Sequence, residues 1–195
     1  MKTITKSAIF IILCLAPITV FAQNSALKIP DEVKVFVEQG TTAIALETAD
    51  LNGDGKKDFI LVTEKSKPQP TDDDTDDSRS LIILTRDRAG KLNVAARNEK
   101  VVFCRSCGGA FGDPFDSVQA GRKSFNVYNY GGSWQRWGIQ YQFNYSRRDR
   151  TWQLVWVQKI DYDSHDPETM RTKIFTPKKF GKIGIADFNP DKIHF

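Results

Sequence analysis

Cysteine and histidine are both scarce in this sequence, with 3 Cys and 2 His in 195 residues. A structural zinc site takes four such ligands and a disulfide-rich small fold needs more cysteines, so the composition argues against both classes. No apolar run long enough to cross a membrane follows the N-terminal segment. Hydrophobic residues still make up 40% of the chain, which is too many for a disordered protein, so we expect a globular domain.

Residues 1–22 have the features of a secretory signal peptide. Two lysines give a positively charged start, an apolar stretch covers residues 8–20, and the small residue Ala22 follows. We therefore predict cleavage after Ala22 and a single mature domain, residues 23–195, in the periplasm or outside the cell. The apolar stretch is shorter than the roughly 20 residues of a spanning helix, so we expect no membrane span after cleavage.

An excess of charge of one sign is also missing. The 28 Lys and Arg side chains face 24 Asp and Glu, for a formal net charge of +4. Loss of Lys2 and Lys6 with the leader would reduce the basic count to 26 and the net charge to +2. A nearly neutral chain has no strong electrostatic field, so we expect it to bind no nucleic acid.

Short apolar runs separated by turn residues predict a mainly β fold built from antiparallel sheet. The clearest alternation covers residues 137–145 and resumes at 152–156 after a polar turn, which predicts a hairpin. Its aromatic side chains could stack sugars or bases, but we favour the inward face of a sheet. The remaining predicted strands are 43–49, 59–63, 81–85, 91–96, 100–104 and 125–130.

Three segments fall outside this pattern. Pro30 followed by acidic residues predicts one short N-terminal helix that ends before Gly40. Residues 65–79 contain the acidic run 71–77, for which we predict a mobile loop between two apolar strands. Residues 161–176 are polar and show weak strand character.

The most informative stretch is residues 50–58. Oxygen-bearing side chains recur at its first, third, fifth and ninth positions, which are Asp50, Asn52, Asp54 and Asp58. Calcium takes six to eight oxygen ligands, and a short loop must curl tightly to bring them together. Gly55 permits the left-handed backbone of such a turn, and the carbonyl of Lys56 is free to act as the seventh-position ligand. The alternative is a hairpin turn that binds no metal.

The loop lies between apolar, β-prone residues, and its twelfth position is Leu61 instead of the Glu of a helix–loop–helix calcium site. The sequence ADLNGDGKKDFILV, residues 49–62, resembles the calcium loops of FG-GAP and VCBS-type repeats. Such repeats are found in integrin-like β-propellers and many secreted bacterial proteins. The resemblance covers one copy of the motif. It implies a structural calcium ion bound by Asp50, Asn52, Asp54, the Lys56 carbonyl and Asp58.

The mature chain as a whole also resembles a group of secreted bacterial proteins. These proteins combine the same loop with a segment like residues 104–115, which here reads CRSCGGAFGDPF. The resemblance implies a location and an architecture but no activity.

Cys104 and Cys107 are the only cysteines left once Cys14 is removed with the leader. An oxidising exported compartment favours a disulfide between them. A thiol–disulfide oxidoreductase would place its first thiol at a helix N-terminus, whereas here two glycines follow the pair. We therefore favour a structural disulfide and keep the oxidoreductase as an alternative.

No residue pattern predicts a catalytic site, since His165 between a serine and an aspartate resembles a triad only in sequence order. The glycine-rich segment 108–114, tethered by the predicted disulfide, contains Phe111 and is followed by Phe115, and both are candidates for binding a protein partner. We predict an exported, calcium-binding, non-catalytic interaction protein of the cell envelope. A thiol–disulfide protein and an inhibitor or immunity-type protein against an envelope-acting enzyme are the alternatives.

Overall fold

The computed structural model describes residues 27–66 and 77–193, and two antiparallel sheets dominate them. The first sheet contains β1 (Thr41–Ala49), β2 (Asp58–Lys65), β3 (Arg79–Arg86) and β4 (Leu92–Asn98). The second contains β5 (Phe115–Gly121), β6 (Ser124–Gly132), β7 (Gln135–Ser146), β8 (Thr151–Asp163) and β9 (Asp166–Phe175). Strands follow one another in chain order within each sheet. The mainly β, antiparallel prediction is confirmed.

The central strands of the first sheet, β2 and β3, are buried on both faces. Ile60, Val62 and Ile83 belong to the main core shared with the second sheet. Their neighbours Leu61 and Ile82 belong to a smaller cluster on the opposite face. Burial on both sides explains why β2 and β3 are almost continuously apolar, because alternation appears only where one face meets water.

The smaller cluster is covered by the segment around α1 (Asp31–Lys34), whose Val33 is fully buried there. Ile29, Phe36 and Val37 pack against the same cluster. The helix has a single turn, and Gly40 takes a positive φ of 79° before β1 begins. The predicted short helix is therefore present and lies against an apolar surface.

The second sheet contributes one face to the main core. Tyr141, Phe143 and Trp152 are each at most 1% exposed and pack in that core. The intervening Gln140 and Gln142 lie on the other face, where they remain partly exposed. The aromatic stripe of residues 137–145 is thus the inward face of a sheet.

Two strand predictions are corrected by the structure. Residues 100–104 are not a strand, because the Asn98 side chain accepts hydrogen bonds from the amides of Lys100 and Val101 and turns the chain. The polar segment 161–176 is largely strand, since β8 extends to Asp163 and β9 pairs with it. β9 is an edge strand whose residues are mostly exposed, so it lacks the apolar alternation that predicts strands.

The strand β5 was not predicted. Val118 is its one buried hydrophobic side chain, Phe115 and Ala120 are partly buried, and polar residues separate them, so almost no hydrophobic pattern remains. Its neighbours are β6 in its own sheet and β1 at the edge of the first sheet. Position in the tertiary structure, rather than local sequence, makes this segment a strand.

The predicted signal peptide, residues 1–22, lies outside the described residues. So does most of the predicted acidic loop, while Lys65 ends β2 and Arg79 begins β3. In residues 27–66 and 77–193, no helix has the length and apolar character needed to cross a bilayer.

Candidate metal centre

The loop between β1 and β2 is anchored in the core by Leu51. This side chain is fully buried in the main cluster. Its carbonyl accepts a hydrogen bond of 2.9 Å from Nε1 of Trp152, which belongs to the second sheet. Because a buried indole N–H needs an acceptor, this bond fixes the start of the loop against the opposite sheet.

The loop curls because its own side chains accept its backbone amides. Asp50 accepts from the amides of Gly53 and Gly55 at 2.8 and 3.1 Å. Asn52 accepts from the amide of Asp54, and Asp54 from that of Lys56, each at 2.9 Å. Gly55 takes a φ of 85°, as the predicted left-handed turn requires.

Asp58 closes the loop from the first position of β2. One carboxylate oxygen accepts the Leu51 amide at 3.0 Å, and the other accepts the Arg86 amide of β3 at 3.1 Å. The residue is completely buried. Burial is the main cause that raises the pKa of Asp58, the two backbone hydrogen bonds oppose it, and the nearby negative charge of Asp54 adds to it.

These contacts bring three carboxylates together. One oxygen from each of Asp50, Asp54 and Asp58 lies within 4.8 Å of the others, so the group could hold a metal ion. Two ligands of one calcium ion, each about 2.3–2.6 Å from it, are at most about 5 Å apart. The spacing of the three oxygens therefore fits a single ion between them.

The other two predicted ligand residues lie within the same turn. The Asn52 side chain also donates to Asp54, at 3.2 Å. The Lys56 ammonium binds the carbonyl of Asp87 in the β3–β4 turn. The side chain of Lys56 is thus occupied elsewhere, and its backbone carbonyl is the oxygen it can offer to an ion.

The hairpin turn between β5 and β6 contacts the loop, which the sequence did not reveal. Nε of Arg122 lies 3.2 Å from a carboxylate oxygen of Asp50, and the Lys123 amide donates to the Asp50 carbonyl at 2.9 Å. Burial raises the pKa of Asp50, but the Arg122 guanidinium and the two glycine amides outweigh it and hold that pKa below its ordinary value. Arg122 offsets part of the negative charge of the cluster.

The structure contains the predicted disulfide between Cys104 and Cys107, with Cα atoms 5.1 Å apart. The expectation that glycines, and not a helix, follow the cysteine pair is wrong. A 3-10 helix, Arg105–Phe111, follows Cys104 directly and is interrupted at Gly109, which has a φ of 69°. Gly108 and Gly109 therefore lie within this short helical segment.

Phe111 and Phe115 have different environments. Phe111 is 53% exposed, and its ring makes an edge contact with Tyr130 at 5.3 Å between centroids. The Arg136 guanidinium lies 4.1 Å from the same ring. Phe115 is half-buried against the main core, with Arg79 5.7 Å from its ring. Phe111 therefore offers the larger apolar surface to a partner.

Arg79 forms a buried ion network that the sequence analysis missed. Its guanidinium binds both carboxylate oxygens of Asp113, at 2.6 and 2.5 Å, and Glu64 at 2.9 Å. It also donates to the Phe103 carbonyl at 3.2 Å. The one available signal was a basic residue two positions before the apolar run of β3, where a buried charge must find partners.

Comparisons with known proteins add no relative, since neither a protein-family model, nor a curated protein, nor a solved structure matches the chain.

Proposed function

We propose that this protein is an exported, calcium-binding and non-catalytic interaction protein of the cell envelope, in which calcium has a structural role. The observation that carries the proposal is the convergence of Asp50, Asp54 and Asp58 in one turn. Without a cation, three carboxylates at this spacing repel one another. A bound ion removes that repulsion and favours the folded loop.

Calcium suits the donors better than other common ions. The candidate ligand atoms are all oxygens, whereas zinc sites are built mainly from histidine nitrogen and cysteine sulfur, so the loop does not suit zinc. Magnesium demands near-ideal octahedral geometry at about 2.0–2.1 Å and keeps several waters. A curled loop of carboxylate, amide and carbonyl oxygens matches the larger and more adaptable shell of calcium, and the resemblance to FG-GAP and VCBS-type loops supports the same ion.

The structural role follows from what the loop contacts. Through Leu51 and Trp152 it touches the second sheet, and through Asp50 it touches the β5–β6 turn. An ion that rigidifies the loop therefore also supports the contact between the two sheets.

Calorimetric titration of the purified protein with calcium and with magnesium tests the metal assignment. We expect saturable calcium binding, weaker magnesium binding, and a calcium-dependent rise in melting temperature. Asp54→Ala should abolish both calcium effects, because Asp54 is exposed and supplies one of the three carboxylates. Asp116→Ala, at an exposed carboxylate outside the loop, is the control. An unchanged melting curve across millimolar calcium would contradict the assignment.

The interaction role is tested with the exposed ring of Phe111. We expect the protein to capture a defined partner from envelope extracts, and Phe111→Ala to abolish capture. Met170→Ala is the matched control, since Met170 in β9 is an equally exposed apolar residue at 53%. Repeating the capture with a calcium chelator shows whether the partner surface depends on the ion. If Phe111→Ala captured as much of the partner as Met170→Ala, Phe111 would not be part of the binding surface.

A further inference from the structure

A cavity of about 410 Å³ lies against the inner face of the second sheet, and this size suits a small organic ligand. Its walls include the rings of Phe103 and Trp137, whose centroids are 5.7 Å apart, and the side chain of Ile139. Tyr141 also lines it. The cavity is separate from the metal loop, because none of its lining residues belongs to residues 50–58.

Tyr141 carries the observation that points to a ligand. The residue is 0% exposed, and its hydroxyl has no hydrogen-bond partner among the residues that the structure describes. The ring is held by an edge contact with Phe188, at 4.8 Å between centroids. Buried tyrosine hydroxyls normally find a partner, because an unpaired one costs free energy. A group that enters the cavity can supply the missing hydrogen bond.

The charges around the cavity favour a cationic ligand. Asp161 and Asp191 contribute two carboxylates to the lining, against one ammonium from Lys159. Arg171 and Lys173 are the register partners of Asp161 and Lys159 in β9, but neither belongs to the cavity lining. Burial, and then the negative charge of Asp191, raises the pKa of Tyr141, so its hydroxyl stays neutral at physiological pH. Aromatic faces also attract cations.

We propose that this cavity binds a protonated amine on a small apolar body. The apolar body packs against Trp137 and Phe103, the Tyr141 hydroxyl oxygen accepts a hydrogen bond from the ammonium group, and the two aspartates supply the opposite charge. This site goes beyond the proposed calcium-dependent function and does not require it.

The test uses three probes of similar shape and different charge: benzylamine, benzyl alcohol and phenylacetate. Each is titrated into the purified protein by calorimetry, with calcium and with chelator. We expect benzylamine to bind about tenfold more tightly than benzyl alcohol, the difference typical of a charged hydrogen bond, and phenylacetate not to bind. Equal affinity for the amine and the alcohol, or no saturable amine binding, would overturn the proposal even where calcium binding is intact.

Two substitutions locate the site. Tyr141→Phe keeps the ring and removes the unpaired hydroxyl, so amine affinity should fall about five- to tenfold while the melting temperature stays equal or rises. Asp191→Asn, at an exposed position, should also weaken amine binding severalfold. Tyr128→Phe, on the opposite face of the sheet, is the control and should leave affinity unchanged. Unchanged amine affinity in Tyr141→Phe would place any binding elsewhere and refute the assignment.

A last comparison distinguishes a free amine from a lysine side chain of another protein. The probe is a Gly-Lys-Gly peptide with blocked termini, so that its only ammonium group is on the lysine. Affinity equal to that of benzylamine supports a protein side chain as the natural occupant, and binding of benzylamine alone supports a free small amine.

Discussion

The guanidinium of Arg79 and the carboxylate of Asp113 form a bidentate ion pair, with nitrogen–oxygen distances of 2.6 and 2.5 Å. Arg79 begins β3 in the first sheet, and Asp113 lies two residues before β5 in the second. The Arg79 side chain is 1% exposed, whereas that of Asp113 is 47% exposed. The pair therefore connects the two sheets beside the disulfide-bonded segment.

Removing this pair should destabilise the fold measurably. In a double-mutant cycle of Arg79→Met and Asp113→Asn, we expect a coupling free energy of about 1–3 kcal/mol, because a charge buried without its partner is costly. The exposed pair of Lys34 and Asp31, 2.7 Å apart, is the control. The same cycle there should yield a much smaller coupling free energy, because solvent screens the exposed charges. Both coupling free energies are measured by urea unfolding. Equal values for the two pairs would show that burial does not strengthen the Arg79–Asp113 pair.

The contribution of Asp113 should depend on pH. Burial raises its pKa, but the hydrogen bonds from Arg79 and from the Phe115 amide outweigh burial and hold the pKa below its ordinary value. A carboxyl whose pKa is lowered by folding stabilises the protein above its unfolded pKa of about 3.9, and loses that effect as the pH falls through the folded value. The stability difference between wild type and Asp113→Asn should thus be constant above about pH 5 and shrink below about pH 4. Urea unfolding across this range measures it, and a difference that grows on acidification would contradict the assignment.

The turn of the candidate metal loop should depend on glycine at position 55. Gly55 has a φ of 85°, and an added Cβ would meet no atom within 4 Å. Gly55→Ala should therefore cost about 1–2 kcal/mol through backbone strain alone, and Gly55→Asn less, because asparagine tolerates this region. Gly138→Ala is the control, since that strand glycine needs no positive φ and its added Cβ would meet only ordinary contacts at 3.7 and 3.9 Å. Equal losses of stability at both positions would show that strain is not the cause.

The disulfide should behave as a structural link. Peptide mapping without reductant should recover Cys104 and Cys107 in one bonded peptide, and the purified protein should not reduce insulin. The double substitution Cys104→Ser and Cys107→Ser should cost at most about 2 kcal/mol, because a bridge over so few residues removes little entropy from the unfolded chain. Measurable insulin reduction would favour the thiol–disulfide alternative.

Much of the fold was predictable from the sequence because its signals are local. Apolar runs marked β2 and β3, alternation marked the β7–β8 hairpin, and Pro30 marked the start of the N-terminal helix. β9 was missed because an exposed edge strand needs no apolar face. The false strand at 100–104 shows the opposite error, since Val101 and Val102 are buried without being in a sheet.

The sequence by itself determined the candidate metal loop, residues 50–58, because all its candidate ligands lie within nine residues and the hydrogen bonds that curl it are mostly internal. Only the tertiary structure decided what surrounds that loop and what else the sheets enclose. Trp152, Arg122 and the cavity at Tyr141 come together through the pairing and packing of strands far apart in the chain. Such contacts depend on which faces meet, and no short sequence pattern encodes that.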